Sequence, residues 1–287
     1  MRILWRLIRI VIRGIFLSAV LLAVILSYAV KIEPYLLKTE SLTLGTDLAG
    51  SLKMVQISDI QISRSFTAGH LEKTVEKING QNPDLVLFTG DLYENYADFH
   101  DDEALIRVLS RIRAPYGKYA VWGKRDRGGG AALRYEDILR QSGFQILCNE
   151  GISIALESGE TLFLAGLDDA LLGEPDAEPV MEMFQAGKYG FSILMTHEPD
   201  TADLYADAGF DLILSGHSHG GQVKIPFLPG ITTAMAEKYV DGLYRLNDRT
   251  SLYVNIGIGT SRFPARFGVV PEITVFNLEK EEQACIF

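Results

Sequence analysis

Short apolar runs bounded by turn residues recur along the chain after residue 50. Eight of these runs have the length of buried strands: 54–57, 85–88, 119–122, 161–167, 192–195, 212–214, 251–256 and 273–276. Four helix-like stretches lie between the early runs: 68–78, 104–112, 131–141 and 179–186. Strands that alternate with helices early and follow one another late predict an α/β sandwich, in which the C-terminal half supplies a second sheet.

The longest uncharged run covers residues 14–30, close to the N-terminus. A helix of this length spans roughly 26 Å at about 1.5 Å per residue, slightly less than a bilayer core of about 30 Å. The flanking Arg13 and Lys31 can extend to the headgroups and make up the difference. Four arginines precede the run and only Lys31 follows it. This asymmetry predicts a single-pass membrane helix with a cytoplasmic N-terminus and the remainder outside the cytoplasm.

A cleaved signal peptide is the alternative interpretation of this run. Small residues at the spacing required for cleavage are present at Ser27 and Ala29. An uncleaved anchor is favoured, because the apolar stretch is long and no polar region precedes the cleavage point. The expected location is therefore the cell membrane, with secretion after cleavage as the second choice.

The charge is distributed unevenly between this segment and the rest of the chain. The 287 residues contain 27 Lys and Arg against 37 Asp and Glu, a net charge of −10. Residues 1–31 hold five basic and no acidic residues, which leaves 22 basic against 37 acidic residues, or −15, over 32–287. An acidic domain argues against bulk nucleic-acid binding, which requires an excess of Lys and Arg to neutralise phosphates.

The composition is that of a globular protein, with 47% hydrophobic and 22% charged residues, and it excludes general disorder. We expect three segments: a basic N-terminus and membrane anchor over 1–31, a connector over 32–50 with an edge strand near 41–44, and one domain over 51–287. Two cysteines, Cys148 and Cys285, are too few for a disulfide scaffold and are predicted to be free thiols.

Metal-competent side chains follow five of the predicted strands directly. In sheet-based α/β folds the C-terminal ends of the strands meet at one edge, where ligands bind. Six residues would be collected there: Asp59, Asp91, Asp126, His197, His217 and His219. Mixed His and Asp ligands suit Mn, Fe, Zn or Co, so the pattern predicts a divalent metal site. The other two histidines, His70 and His100, lie in helix-like or loop contexts typical of structural residues.

The order of these residues resembles the calcineurin-like metallophosphoesterase superfamily, in particular its bacterial membrane-associated branch. The matching elements are Gly90-Asp91, the lone His197 and the run from Gly216 to His219, within a resemblance that covers about 52–278. The resemblance implies two mixed sheets packed as a sandwich and flanked by helices. It also implies metal-dependent hydrolysis of a phosphoester, for which lipid-linked and nucleotide substrates are both open.

The family pattern also implies two sets of metal ligands. The first set is Asp59, Asp91 and His219, with Gln61 in place of a histidine. The second set is Asp91, His197 and His217, with Lys124 in place of an asparagine. An ammonium about 4 Å from a dication costs roughly 8 kcal/mol at an effective dielectric near 20. We therefore expect one firmly bound ion in the first set and a weak or absent ion in the second.

Arg125 occupies the position of the family's catalytic histidine. Arginine stays protonated and cannot act as a general acid, but it can clamp a phosphoryl oxygen. We expect Arg125 and His217 to stabilise developing charge, and Asp126 to pair with Arg125. The favoured function is a membrane-anchored metallophosphoesterase that acts on a phosphodiester or pyrophosphate outside the cytoplasm. The alternative is a catalytically impaired or dead member that serves as a binding or scaffold module.

Two further features lie close to these motifs. The apolar segment 225–235 follows the last histidine, and packing of this loop is favoured over contact with lipid. Arg262 and Arg266 follow the glycines at 257 and 259 and are candidates to receive phosphate in the same pocket.

Overall fold

A long N-terminal helix precedes twelve strands and six further helices in the computed structural model, which describes residues 1–228 and 230–280. The helices are α1 (Arg2–Lys31), α2 (Ala68–Gly80), α3 (Asp102–Leu109), α4 (Lys124–Arg127), α5 (Tyr135–Gln141), α6 (Glu178–Ala186) and α7 (Ala202–Tyr205). The strands are β1 (Lys38–Thr46), β2 (Leu52–Ile57), β3 (Leu85–Phe88), β4 (Lys118–Ala120), β5 (Phe144–Ile146), β6 (Glu150–Ala155), β7 (Thr161–Gly166), β8 (Phe191–Met195), β9 (Leu212–Ser215), β10 (Gly242–Arg245), β11 (Ser251–Val254) and β12 (Glu272–Lys280). Cys285 lies outside the described residues.

The strands form two mixed sheets, which confirms the sandwich that the family resemblance implied, and each sheet has six strands. The first sheet has the order β1-β12-β2-β3-β4-β5 and the second β10-β11-β9-β8-β7-β6. Apolar side chains from both sheets, including Met54, Leu87, Leu164 and Leu214, form the core between them. Helices α2, α3 and α5 pack on the first sheet, and α6 and α7 contribute to the cluster on the second.

Three strands were missed by the sequence interpretation. Strand β5 has only three residues, and β6 and β10 are edge strands with exposed or half-exposed positions throughout most of their length. Such strands show no continuous apolar run. The edge strand expected near 41–44 is longer, since β1 pairs in parallel with β12 over Lys38–Thr46. Part of the predicted connector is thus built into the first sheet.

Helix α1 is long and apolar enough to cross a membrane by length and composition, and its most apolar window is not buried against the domain. Its last turn, however, packs on the domain. The carbonyl of Ala29 accepts a hydrogen bond from the backbone N–H of Arg266 (2.9 Å), and the rings of Tyr28 and Phe267 meet edge to face with centroids 6.4 Å apart. The buried Glu33 accepts the N–H of Val269 (2.6 Å). Helix α1 and the domain are therefore joined without a free linker.

The apolar segment after the last histidine does not pack in the way the sequence suggested. Ile225, Phe227, Leu228 and Ile231 are all exposed, and Phe227 fully so. The favoured prediction of loop packing is wrong for these residues, because the loop projects from the edge of the sandwich instead of folding back on it.

Candidate functional site

The predicted convergence of strand ends is present at the edge where β2 and β3 of the first sheet meet β8 and β9 of the second. Asp59, which follows β2, accepts the backbone N–H of His217, which follows β9 (2.9 Å). His197, which follows β8, lies 2.6 Å through Nδ1 from the carbonyl of Thr89, which follows β3. Contacts between the two sheets therefore assemble the site.

Five of these residues have left-handed backbone conformations, which are uncommon for residues other than glycine. Their φ values are +47° at Asp59, +52° at Gln61, +64° at Asp91, +66° at His217 and +49° at His219. Backbone strain of this kind costs on the order of 1–3 kcal/mol per residue and clusters at functional sites. Gly216 allows the close approach of the two sheets, since a Cβ there would lie 1.8 Å from the Ser58 hydroxyl.

Asp91, His197 and His217 present three ligand atoms that lie within 4.8 Å of one another, and all three residues are buried. The remaining ring nitrogen of each histidine faces a backbone carbonyl, His197 Nδ1 at Thr89 and His217 Nε2 at Ala234 (2.9 Å). A carbonyl can only accept, so these nitrogens carry the protons. His197 Nε2 and His217 Nδ1, which lie 3.2 Å apart, are thereby directed towards the ligand position.

Asp59 and Gln61 provide a second group of oxygen atoms beside this triad. Asp59 Oδ1 lies 3.3 Å from His219 Nε2, and Asp59 Oδ1 and Gln61 Oε1 are both buried without a hydrogen-bond donor among the described residues. Unpartnered buried oxygens are costly unless a cation occupies the space that they face. The donor set therefore fits a divalent ion with oxygen and imidazole ligands.

Asp91 lies between the two groups. Its Oδ1 is 3.5 Å from His197 Nε2 and accepts the N–H of Arg125, while its Oδ2 accepts the side-chain amide of Gln61 (2.9 Å). Burial alone would raise the pKa of Asp91, but the neighbouring His197 and His217 together lower it. One carboxylate can thus contribute an oxygen to each group.

The three histidines differ in their electrostatic environment. Burial lowers the pKa of His219 to about 3, with Arg266 adding to the effect against the opposing charge of Asp59. Burial, and after it the charge of His197, lowers the pKa of His217. Burial would also lower the pKa of His197, but Asp91 holds it well above its usual value. His217 and His219 are therefore neutral near pH 7, the state in which imidazole binds a metal ion, whereas His197 would have to release a proton to do so.

Asp126 does not pair with Arg125, and that prediction is wrong. Both of its carboxylate oxygens accept backbone N–H groups, Oδ2 from Gly123 and Asp91 and Oδ1 from Leu92. These bonds hold Asp126 fully buried at the start of α4. The carboxylate therefore fixes the loop that carries Asp91 and does not reach the pocket.

Arg125 is held by two residues that the sequence did not indicate. Its Nη2 lies 3.2 Å from Glu94 Oε1 and donates to Ser261 Oγ (3.0 Å). Both partners are far from Arg125 in the chain, and neither belongs to a recognisable motif. Gln222 fixes the backbone that carries Ser261. Its side-chain nitrogen donates to the carbonyls of Ser261 and Phe263, and its side-chain oxygen accepts the backbone N–H of Ser261.

Arg266 does not face the pocket, which corrects the expectation that it receives phosphate. It is completely buried, and its guanidinium donates to the carbonyls of Ile256, Gly257, Gly259 and Val269. Its Nη2 also lies 3.5 Å from His219 Nδ1. Arg266 thus supports the strand-end loops and the back of His219.

A pocket covers the clustered residues and combines charged, polar and apolar side chains. Its lining includes Asp91, Lys124, Arg125, His217 and His219 together with Ile231, Thr232, Thr233, Arg262 and Phe263. His70 and His100 take structural positions elsewhere, as expected: His70 closes a capping box with Thr67 on α2, and the ring of His100 stacks on Tyr96.

Comparisons with known proteins agree with this geometry. The sequence profile of the family described as calcineurin-like phosphoesterase matches residues 52–221. The chain is 37% identical over 257 residues to an uncharacterized metallophosphoesterase of Bacillus subtilis, YkuE, covering 88% of this chain and 89% of that protein. It is 28% identical to the phosphodiesterase YaeI of Escherichia coli, covering 81% and 84% of the two chains. It is also 28% identical to a transmembrane protein with metallophosphoesterase domain of Danio rerio, covering 80% of this chain and 53% of that one.

Proposed function

The chain belongs to the calcineurin-like phosphoesterase family, and we propose that it is a metal-dependent phosphoric ester hydrolase that acts on a phosphodiester or pyrophosphate. One observation carries this proposal: Asp91 directs one carboxylate oxygen at the His197–His217 pair and the other at Gln61. An acid shared by two groups of buried ligands is suited to metal-assisted phosphoryl transfer.

The metal ligands in this proposal are Asp59, Gln61, Asp91, His197, His217 and His219. The expected ion is Mn, Fe, Zn or Co, and when bound it would polarise the phosphoryl group and activate water for attack. We keep the expectation of one firm ion at the group with Asp59 and Gln61. The unpartnered oxygens of that group support this expectation, and Lys124 lines the same pocket as Asp91 and His217. The ligand atoms of Asp91, His197 and His217 nevertheless lie closer together than those of that group.

The chain's own contribution to catalysis is mainly the placement of positive charge. Arg125 is restrained by Glu94 and Ser261, so its guanidinium can clamp phosphoryl oxygens with little loss of conformational freedom. Arg262 lines the same pocket and would serve as a second phosphate contact. His217 keeps its role as a ligand that stabilises developing charge, whereas we assign Asp126 a positioning role.

The anchor is proposed to hold the enzyme at the cell membrane with its N-terminus in the cytoplasm. The arginines at one end of α1 support this orientation. An uncleaved anchor is supported by the burial of Ala29 and its contact with Arg266, because cleavage after Ala29 would remove the carbonyl that accepts the backbone N–H of Arg266.

The proposal is tested by the hydrolysis of bis(p-nitrophenyl) phosphate with added Mn²⁺. The wild type is expected to be active, and His217→Ala is expected to lose about 10²-fold in kcat/KM. The triple variant Gln61→His, Lys124→Asn, Arg125→His restores the family pattern. Activity that appears only in this variant would instead support the alternative of an impaired or dead enzyme that acts as a binding module.

Metal analysis tests the expected stoichiometry. The wild type is expected to retain one tightly bound ion, because the Lys124 ammonium opposes a second. At about 4 Å, even in the dielectric of water, this repulsion is roughly 2 kcal/mol, or about 30-fold in affinity. Lys124→Asn should therefore bind a second ion about 30-fold more tightly in a calorimetric titration, while the exposed Lys188→Asn should behave as the wild type. Two tightly held ions in the wild type would contradict the expectation.

A further inference from the structure

The exposed apolar residues after the last histidine lie beside the end of the membrane helix. We call Ile225, Phe227, Leu228 and Ile231 the apolar loop. Four neighbouring exposed side chains of this size are unusual on a soluble surface, since each loses about 1.5–3 kcal/mol of burial free energy by facing water. This patch therefore fits a partner that is itself apolar.

The position of the anchor identifies that partner. Phe267, whose ring contacts Tyr28 in the last turn of α1, accepts the backbone N–H of Lys224, the residue that precedes the apolar loop. The loop and the end of the anchor are thus attached to the same short segment of backbone. Exposed apolar residues also continue beyond α1 at Ile32 and Leu36. The loop consequently lies within a few residues' reach of the bilayer surface.

The junction keeps the loop on that side of the domain. The backbone N–H of Ile32 donates to the carbonyl of Tyr28, and that of Leu36 donates to the carbonyl of Glu33. The Glu33 carboxylate in turn accepts the backbone N–H of Val269. A junction without a free linker fixes the orientation of the domain relative to α1. A bilayer that holds α1 is then the nearest apolar phase for the loop.

The far end of the loop is part of the pocket. Ile231 lines the pocket, and its carbonyl packs so close to Gly221 that a Cβ on the glycine would lie 2.7 Å away. Three residues further along the chain, the carbonyl of Ala234 accepts a hydrogen bond from His217 Nε2. A loop seated in lipid would therefore hold the mouth of the pocket, which Arg262 and Phe263 also line, at the interface.

We propose that the apolar loop inserts into the bilayer that holds α1, and that the substrate is a phosphodiester carried by a membrane lipid. The substrate assignment rests on the proposed hydrolase function, whereas the insertion does not. Insertion would bury the apolar loop at the boundary between headgroups and acyl chains. The pocket residues Lys124, Arg125 and Arg262 would then lie at headgroup depth, where they can bind the phosphate of the lipid substrate.

Tryptophan quenching tests the insertion independently of catalysis. The full chain carries two tryptophans, Trp5 in α1 and the buried Trp122. All measurements are therefore made on variants that also carry Trp5→Phe, in which Trp122 contributes a constant fluorescence. In phosphatidylglycerol vesicles with brominated acyl chains, the signal added by Phe227→Trp is expected to be quenched at least about twofold. Glu157→Trp is the matched control, because it lies in the β6–β7 turn, at the opposite end of the second sheet. Equal quenching at the two positions, or none at Phe227→Trp, overturns the insertion.

Relative rates test the substrate class. The double variant Phe227→Asp, Leu228→Asp is expected to lower the ratio of hydrolysis of a vesicle-borne p-nitrophenyl phosphatidyl diester to that of soluble bis(p-nitrophenyl) phosphate by about tenfold. Leu204→Asp, at an exposed leucine on α7, should leave the ratio unchanged. Hydrolysis of the soluble diester with no activity on the lipid overturns the lipid substrate but not the hydrolase. A wild type inactive on both overturns the hydrolase function and the lipid substrate with it.

Discussion

Replacing Asp91 by asparagine is expected to reduce kcat/KM on bis(p-nitrophenyl) phosphate by on the order of 10³-fold. The carboxylate serves both groups of ligands, since one oxygen faces His197 and the other Gln61. An asparagine of the same size can keep one oxygen but removes the negative charge, so both metal positions lose affinity together. Steady-state kinetics and the metal content of the purified protein measure the two effects.

The matched control is Asp248→Asn, the same chemical change at an exposed turn residue between β10 and β11. It is expected to retain the wild-type rate and metal content. Because Asp91 also accepts the N–H of Arg125, thermal unfolding of both variants is needed to exclude loss of the fold. An Asp91→Asn protein that is folded, binds metal and keeps the wild-type rate would contradict the assignment.

Arg266→Ala is expected to lower the free energy of unfolding by about 3–5 kcal/mol. The guanidinium is completely buried and donates to four backbone carbonyls of the segments that flank it. Its removal takes the guanidinium donor from all four carbonyls, of which Gly257 alone keeps a backbone donor among the described residues, the N–H of Glu272, and opens a cavity behind His219. Urea denaturation of the detergent-solubilised full chain measures the loss.

Arg262→Ala provides the comparison, since Arg262 lies in the same loop and is exposed. Its effect on stability should be within about 0.5 kcal/mol. Arg266→Lys keeps the charge but not the planar array of donors, so an intermediate loss is expected. If Arg266→Ala and Arg262→Ala were equally stable, the buried guanidinium would contribute nothing to the fold.

The positions of the candidate ligands were predictable because each is local to a strand end. Asp59, Asp91, His197 and His217 all follow a run of buried apolar residues directly, and parallel strands bring such ends to one edge. The short or half-exposed strands β5, β6 and β10 were not predictable in this way. They depend on pairing partners that the local pattern does not reveal.

The residues that hold Arg125 in place could not be predicted from the sequence pattern either. Glu94 and Ser261 restrain Arg125 from 31 and 136 residues away in the chain. Arg266 seemed a candidate for phosphate because arginine commonly binds it, yet the fold buries its guanidinium among carbonyls. A charged residue gives no local sign of which partner it will find.

The sequence by itself determined the long apolar N-terminal helix, the two-sheet sandwich and the set of metal-competent residues, because hydrophobic periodicity and residues at strand ends are local properties. The tertiary structure decided which groups those residues face. It joined Ala29 to Arg266, bonded the Asp126 carboxylate to the backbone of the loop that carries Asp91, and left Phe227 exposed. These outcomes depend on contacts between distant segments, whose geometry is fixed only when both sheets pack together.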